Sequence, residues 1–593
     1  MGNAGVVKHR RCDIERLMAE TVAVPESKTL RPPRAGRAWL WLSAVVTVLV
    51  LFPVLALALE ALQGSAGLWS HLAFTTLPAA FADTVILLSG VGLIAAVLGT
   101  SMAWLVTAYD FRGRAVLEWA LLLPLAVPTY IIAYAYLDLL HPVGPVQGAV
   151  RFLLGYDSPR QFRLPDIRSM GGCIVLLGFV LYPYVYIPTR AMFLTQSASL
   201  IEAARTLGVS RKGIFWRVAL PLARPAVAVG VSLALMETLN DVGAAEFLGV
   251  RTLTVSIYTT WITRSDLPGA AQLALALLFL VVALVSIERW ARRKQRFASN
   301  IRHSRGFDPL KVSGFHGAWL FCLCAIPVMI GFVLPAFYLA VEAIKRMRFA
   351  GISPRLAGEA LNTVALASVA TVLVLICGML VAYAVRLFPA AFSRWCYRFS
   401  TMGYAAPGTV IAIGILVVSG GFDRLLNQFT MQFFGFSAGL VLIGTGAAVV
   451  YAYVVRFLAI SAGGIDAGLE RIPLSLDHAS RTLGRSVTET FRAVHLPLSR
   501  TAIVAAGLLV FVDCVKELPA TLLLRPLNVE TFATHLYGEA ARGTYEEASI
   551  AALAIVITGI LPVILLARVG RRLGRKEKLQ RPKGRCGRGR LPG

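Results

Sequence analysis

The sequence predicts an all-α polytopic membrane protein with about twelve transmembrane helices arranged in two parallel six-helix repeats. Three observations favour this fold class: an apolar composition, long apolar runs and an internal repeat. Hydrophobic residues make up 57% of the chain and charged residues 15%, and the mean hydropathy is +0.69. A soluble chain of 593 residues does not have this balance.

Apolar runs of about 20 residues are long enough to cross the hydrocarbon core of a bilayer as helices. We predict twelve such spans, and half-membrane helices broken by proline allow eleven to thirteen. The predicted spans are roughly 38–61, 84–108, 115–139, 172–194, 223–247, 268–289, 316–343, 363–386, 398–418, 437–460, 501–525 and 548–569.

The net charge of +26 is concentrated next to the apolar runs. Segment 1–37 carries eight Lys or Arg, 289–311 carries eight and 568–590 carries eleven. The positive-inside bias places such segments in the cytoplasm, so we expect cytoplasmic termini, a bacterial inner-membrane location and no nucleic-acid partner. Loop 140–171 has four arginines on the predicted outer side and does not follow the bias.

These patterns divide the chain into five segments. The first apolar run begins near residue 38 and is too long for a cleavable signal peptide. The eight cysteines form no CxxC pair, so we expect apolar packing for them. The expected segments are a cytoplasmic N-terminal segment 1–37, a first transmembrane repeat 38–289, a cytoplasmic linker 290–315, a second transmembrane repeat 316–570 and a basic cytoplasmic tail 571–593.

Two similar segments 276 residues apart reveal the internal repeat. Ser199-Leu-Ile-Glu-Ala-Ala-Arg-Thr-Leu-Gly208 matches Ser475-Leu-Asp-His-Ala-Ser-Arg-Thr-Leu-Gly484, and a Leu-Pro pair follows each segment. Elements occur in the same order in both halves, and each half has an even number of spans. The repeats are therefore parallel, with a pseudo-two-fold axis along the membrane normal. Further matches at an offset of 279 are Thr84 with Thr363, Pro128 with Pro407, and 252–258 with 531–537.

The repeated segment predicts a short amphipathic helix at the membrane face. Leu200, Ala203, Ala204 and Leu207 fall at helical spacing and form a face of mostly small residues. Gly208 is expected to end the helix in a left-handed conformation. Ser210 and Ser486 are suited to cap the turn that follows. The alternative is an ordinary re-entry loop.

The first copy resembles the EAA loop of binding-protein-dependent ABC importer permeases. The motif residues here are Glu202, Ala203, Ala204, Gly208 and Pro221. The resemblance implies the type I permease fold and a coupling helix that docks on a cytoplasmic ATPase. Two copies of this ATPase are expected, and they use ATP and Mg. The resemblance also implies a periplasmic substrate-binding protein as partner.

The second copy departs from the family pattern. His478-Ala479-Ser480 stands where Glu-Ala-Ala is expected, while Gly484 and Pro497 are kept. The second glutamate and any ion pair that it makes are therefore missing.

A second string narrows the resemblance. Asp513-Cys-Val-Lys-Glu-Leu-Pro-Ala-Thr-Leu-Leu-Leu-Arg-Pro526 resembles the fused ferric iron permeases, which implies iron as substrate. Fused thiamine permeases share the architecture, and phosphonate, polyamine and oxyanion substrates also stay open. The alternatives of another class are a secondary transporter driven by an ion gradient and a membrane enzyme or channel.

Matched carboxylates predict a translocation path or gate. Glu237 aligns with Asp513 and Asp241 aligns with Glu517, so each half has two carboxylates at i, i+4 on one predicted helix face. A charge at bilayer depth costs about 2.5–3.5 kcal/mol, which favours positions facing a polar interior. Lys516 can pair with Asp513. The alternative role is hydrogen bonding between helices.

The sequence predicts no catalytic activity, cofactor or metal site in this chain. It has no G-x-x-x-x-G-K-[ST] string, so ATP hydrolysis is expected in a partner chain and no cofactor in this one. It has no H-E-x-x-H motif and no Ser/His/Asp constellation, so we assign no catalytic residue and no metal site. His316 and His535 are the histidines that could ligate iron, and the sequence alone does not favour either of them.

Overall fold

A computed structural model describes residues 37–64, 67, 69–195, 204, 206–292, 309–544, 546–560 and 564. The first repeat is helical almost throughout. Its helices are α1 (Arg37–Gln63), α2 (Trp69–Ala108), α3 (Arg114–Ala120), α4 (Thr129–Leu139), α5 (Pro145–Leu154), α6 (Met170–Thr195), α7 (Phe215–Asn240, continuing from Arg211–Ile214), α8 (Gly243–Phe247), α9 (Leu253–Arg264) and α10 (Leu267–Arg292).

The second repeat has nearly the same order of elements. A two-residue strand, β2 (Leu310–Lys311), precedes it and pairs in parallel with β1 (Tyr109–Asp110) of the first repeat. Its helices are α11 (Gly314–Ala350), α12 (Arg355–Leu387), α13 (Ala391–Ser400), α14 (Gly408–Phe434), α15 (Ala447–Glu470), α16 (Leu474–Thr482), α17 (Val487–Val515), α18 (Pro519–Leu524), α19 (Phe532–Arg542) and α20 (546–560).

Ten helices among the described residues are long and apolar enough to cross a membrane. The prediction of a continuous span over 115–139 is wrong, because Arg114–Ala126 and Thr129–Leu139 meet at 90°. Counting this bent pair as one span gives eleven. Of the predicted span 548–569, residues up to 560 and residue 564 are described, and the rest lies outside the described residues.

Three other predicted spans are interrupted. The span predicted over 223–247 ends at Asn240, and the one over 501–525 ends at Val515. The span over 398–418 is likewise wrong at its start, since α14 begins at Gly408 directly after Pro407. Proline at this position and at Pro128, which precedes α4, disfavours helical geometry in the residue before it. The apolar pattern conceals these breaks.

Four π-helical turns each precede a Leu-Pro pair within a long helix. They are Leu72–Thr76, Phe215–Ala219, Met329–Val333 and Phe491–His495. Proline lacks the backbone N–H and its ring crowds the carbonyl one turn earlier, and a wider turn relieves that crowding. The Leu-Pro pairs of the two repeated segments thus lie inside α7 and α17 and do not end a loop.

Equivalent hydrogen bonds confirm the parallel repeats. Thr84 Oγ1 accepts from Leu253 N at 3.0 Å, and Thr363 Oγ1 accepts from Phe532 N at 3.0 Å. The two bonds join residues that match at the offset of 279. Each ties the second helix of its repeat to the start of α9 or α19.

Each repeat packs its first helix against the other repeat. Thr47 in α1 shares a 3.0 Å hydrogen bond with Ser400 in α13, and Tyr136 in α4 donates to the Ile330 carbonyl of α11 at 2.8 Å. Gly414 of α14 lies so close to α1 that an added Cβ would be 2.3 Å from an α1 carbonyl. Consequently the two large hydrophobic cores both contain residues of both repeats.

Candidate functional site: a polar pocket between the repeats and two loop segments

The five residues predicted for a path or gate line one pocket between the repeats. The pocket encloses a cavity of about 120 Å³. The predicted residues are Glu237, Asp241, Asp513, Lys516 and Glu517, and other polar lining residues are Tyr130, Tyr184, Asn240, Tyr404 and Arg456.

The prediction that each carboxylate pair occupies one helix face is wrong. Asp241 follows the end of α7, and its Oδ1 accepts from Ala244 N at 2.8 Å. Glu517 follows the end of α17, and its Oε1 accepts from Ala520 N at 2.9 Å. Both side chains thus satisfy backbone N–H groups in the first turn of the short helix that follows. The i, i+4 spacing spans a break in the helix.

Glu517 is fully engaged in hydrogen bonds. Its Oε2 accepts from Thr521 N at 3.0 Å and from the Thr521 hydroxyl at 2.7 Å. Arg456 Nη1 lies 3.2 Å from Glu517 Oε1, and the glutamate side chain is 1% exposed. These contacts match the alternative role of hydrogen bonding between helices, because they join α15, α18 and the end of α17.

Arg456 and Asn240 connect the two repeats. Asn240 Oδ1 accepts from Arg456 Nη1 at 2.7 Å and from Gly408 N at 2.8 Å. Tyr130 of the first repeat donates to the Lys516 carbonyl of the second at 3.2 Å. Sequence reasoning missed this bridge, although an arginine inside the predicted span 437–460 was a usable signal.

The other three carboxylates of the pocket have partners different from those of Glu517. The ion pair predicted between Lys516 and Asp513 is confirmed, with Nζ 2.7 Å from Oδ1. Glu237 accepts hydrogen bonds from Tyr184 and Tyr404. Within the described part of the chain, Asp241 Oδ2 is buried without a partner of hydrogen-bonding geometry, although the Thr129 hydroxyl lies near the same carboxylate.

The two loop segments have the same turn geometry. Gly208 and Gly484 both have φ of +79°, the left-handed conformation predicted for them. The following serines cap the next turn as predicted: Ser210 Oγ accepts from Gly213 N at 3.2 Å, and Ser486 forms a capping box with Glu489.

The second copy is helical as predicted, over Leu474–Thr482. His478 and Ala479 are exposed there, whereas Ser480 is buried and shares a 2.8 Å hydrogen bond with Thr490. In the first copy Ala204 is buried, and Glu202 and Ala203 lie outside the described residues.

Asp477, one residue before His478, provides a carboxylate that the motif comparison missed. Its Oδ2 lies 2.9 Å from Arg386 Nη2 of α12, and its Oδ1 is hydrogen-bonded to His495 Nε2. His495 Nδ1 in turn lies 3.1 Å from the Tyr383 hydroxyl. The loop helix is therefore fastened to α12 and α17 without the missing glutamate. Two sequence features could have indicated these contacts: Arg386 at the end of a predicted span, and His495 directly before the second Leu-Pro pair.

The fold and this pocket define a polytopic α-helical membrane transport protein made of two parallel repeats. The family described as binding-protein-dependent transport system inner membrane component matches the chain twice, over residues 90–297 and 374–577, and the chain belongs to this family of ABC transporter permeases. It is a transport subunit and not an enzyme.

Curated relatives with different printed substrates are similar to the chain. The Fe(3+)-transport system permease protein FbpB 2 of Haemophilus influenzae is 24% identical over 82% of this chain and 89% of its own length. The molybdenum transport system permease protein ModB of Escherichia coli is 28% identical over 33% of this chain and 86% of its own length. The putative 2-aminoethylphosphonate permease PhnU of Salmonella paratyphi A is 30% identical over 33% of this chain and 67% of its own length.

Proposed function

We propose that this permease imports ferric iron through the pocket between its repeats. The observation that carries the proposal is the set of carboxylates on that pocket: Glu237, Asp241 and Asp513 line it, and among the described residues only the Thr129 hydroxyl lies near the second oxygen of the Asp241 carboxylate. Carboxylate oxygens suit a hard cation such as ferric iron. The relative with the greatest shared length among those named above carries the same printed substrate.

The charges of the pocket favour a cation over an anion. Four carboxylates and two cationic side chains line it, which leaves two formal negative charges. Both cationic side chains already form ion pairs, Lys516 with Asp513 and Arg456 with Glu517. An arriving cation therefore meets a negative field, and an arriving anion must first displace a carboxylate.

The transport cycle requires partners on both sides of the membrane. An ATPase pair that uses ATP and Mg docks on the two cytoplasmic loop segments, in which Gly208 and Gly484 have the same left-handed conformation. A periplasmic binding protein delivers the substrate on the opposite side. Closure of the ATPase pair moves the loops together and rotates the repeats between inward-open and outward-open states. The cross-repeat bonds Asn240–Arg456 and Tyr130–Lys516 break and re-form in this rotation.

An oxyanion is the second candidate substrate. Arg456 and Lys516 line the pocket, and relatives with the printed names of molybdenum and phosphonate permeases match one third of the chain. Oxyanion binding requires Lys516 to leave Asp513 or Arg456 to leave Glu517. The two candidates therefore predict opposite effects when a pocket carboxylate is neutralised.

The test is uptake by the full chain, reconstituted in vesicles with its ATPase and binding protein. Radioactive ferric iron and radioactive molybdate are supplied in parallel. Asp241→Asn is expected to reduce iron uptake by about tenfold or more, the effect of about 1.4 kcal/mol lost at one ligand. Glu60→Gln is the matched control, because Glu60 lies at the end of α1 outside the pocket.

Iron uptake at the wild-type rate in Asp241→Asn would remove the acidic path. Molybdate uptake without iron uptake would replace iron by the oxyanion. Retained membrane insertion and ATPase association in the variant separate a path defect from misfolding.

A further inference from the structure

A second set of potential ligands lies away from the pocket, where α12 begins and α19 starts. His535 Nδ1 is 3.1 Å from Glu359 Oε1 and 3.7 Å from Glu530 Oε2. One donor atom from each of the three residues lies within 4.8 Å of the others. We propose that Glu359, Glu530 and His535 bind one transition-metal ion on the face of the membrane opposite the loop segments.

The spacing of the three donors fits a single ion. Nitrogen and oxygen ligands lie about 2.0–2.2 Å from an ion such as zinc. Two ligands at that distance, separated by 90° to 110°, are about 2.8–3.6 Å apart. The distances from His535 Nδ1 to the two carboxylates fall close to this range. One imidazole nitrogen and two carboxylates suit iron, manganese and zinc.

Glu359 has a buried oxygen that the protein itself does not satisfy. The side chain is 6% exposed, and Oε2 is buried with no hydrogen-bond partner among the residues that the structure describes. A buried carboxylate is costly unless both oxygens are paired. His535 lies 3.1 Å from Oε1, so an ion held by both oxygens of Glu359 would be bound next to His535 and would also satisfy Oε2.

The internal repeat shows that the fold does not require this cluster. The equivalent positions of the first repeat, at the offset of 279, are Ala80, Arg251 and Ser256. The backbone carbonyls of Ala80 and Glu359 play the same part, accepting from Thr84 at 2.6 Å and Thr363 at 2.7 Å. The Glu359 side chain is therefore an addition to the second repeat.

Neighbouring charges hold the cluster in place and leave it accessible. Arg525 Nη1 lies 3.3 Å from Glu530 Oε1, which orients that carboxylate and leaves Oε2 directed at His535. Nearby Glu539 is paired with Arg542. The Glu530 side chain is 44% exposed, so an ion can enter from solvent.

The position of the cluster suggests its role and rests on the orientation in the proposed function. Glu359 and Arg386 lie 27 positions apart on the same helix, α12, or about 40 Å along its axis. Arg386 contacts the loop helix α16, so Glu359 lies at the far end of the membrane. That end is the face on which the binding protein releases its cargo. The cluster is thus the first site that receives the metal.

The test counts metal bound to the full chain in lipid nanodiscs, without ATPase or binding protein. The protein is stripped with EDTA, equilibrated with zinc(II) or, under argon, iron(II), and passed through gel filtration before elemental analysis. The double variant Glu359→Ala, His535→Ser takes the side chains of the first repeat and is expected to bind one ion fewer per chain than the wild type. His316→Ala, which removes an exposed histidine elsewhere, is expected to bind as the wild type does.

Equal metal content in the double variant and the wild type would overturn the site, as would a wild type that binds no metal. His535→Asn adds a second comparison, because the amide still donates to Glu359 but is a poor metal ligand. Wild-type metal content in this variant identifies a simple ion pair. Since no transport is measured, loss of the iron-import proposal leaves this result intact.

Discussion

Arg386 of α12 and Asp477 of α16 form an ion pair of 2.9 Å between Nη2 and Oδ2, with side chains only 9% and 17% exposed. Arg386 also donates to the carbonyls of Leu469 and Ile472, which precede α16. The pair therefore fixes the second loop helix to a membrane-spanning helix. The second loop helix is thus held to α12 through Asp477, at a position one residue before that of the family motif's glutamate.

Asp477→Asn is expected to uncouple the second loop. The change leaves the Arg386 charge without its counter-ion, and breaking a buried pair costs about 3 kcal/mol. ATPase activity stimulated by the binding protein should fall about tenfold or more in the reconstituted complex, because α16 loses its fixed position. Glu60→Gln is the control, because Glu60 lies at the end of α1, outside the loop segments, and should leave this activity unchanged. Equal activities of the two variants would contradict the role of Asp477.

Gly208→Asp and Gly484→Asp should abolish transport and leave membrane insertion intact. Both glycines have φ of +79°, and apart from their chain neighbours no described residue has an atom within 4 Å of the point that a Cβ would occupy. The damage therefore comes from backbone conformation and from added charge at the docking surface. Gly484→Asn provides the comparison, since asparagine tolerates this conformation and adds no charge. Substrate uptake and the amount of inserted protein are measured together, and normal uptake by the double aspartate variant would refute the docking role.

Glu517→Gln should destabilise the protein more than Asp241→Asn does. Glu517 accepts from two backbone N–H groups, from the Thr521 hydroxyl and from Arg456, and a glutamine amide nitrogen cannot accept any of these. Losing the buried charge opposite Arg456 costs about 3 kcal/mol. Thermal unfolding of the purified variants gives the comparison. If Asp241→Asn lowers the midpoint by as much, Glu517 has no special structural role.

Thr84→Val and Thr363→Val should destabilise the protein by similar amounts. Each hydroxyl accepts from a backbone N–H at 3.0 Å, and an unsatisfied buried donor costs about 1–3 kcal/mol. Thr371→Val is a control, because its hydroxyl donates to a carbonyl within its own helix. Clearly unequal unfolding midpoints of the first two variants would contradict the equivalence of the repeats.

Much of the fold could be predicted from the sequence because membrane helices require long apolar runs. The breaks after Asn240 and Val515 could not, since the apolar pattern continues across them and the capping carboxylates look like ordinary i, i+4 pairs. Repeat alignment selected five residues that line one pocket. It could not distinguish the engaged Glu517 from the uncommitted Asp241 oxygen, because that difference depends on Arg456, distant in sequence.

The histidine cluster was beyond sequence reasoning for a related reason. Glu359 and His535 are 176 residues apart and belong to no motif. Only the packing of α19 against α12 brings them together. Asp477 was missed because the family motif has its glutamate at the position of His478, one residue later.

Because α1 packs against the second repeat and α11 packs against the first, each half of the protein depends on the other. In a dimer of identical subunits, a substitution is copied on both sides of the symmetry axis. In this protein both halves belong to one chain, so a substitution in one half is not repeated in the other. Glu359 and His535 align with Ala80 and Ser256 of the first repeat. Asp477 and His495 align with Ile201 and Ala219. None of these four first-repeat residues has an ionisable side chain. Division of labour between unlike halves is therefore available to this protein, and a symmetric pair of permeases does not have it.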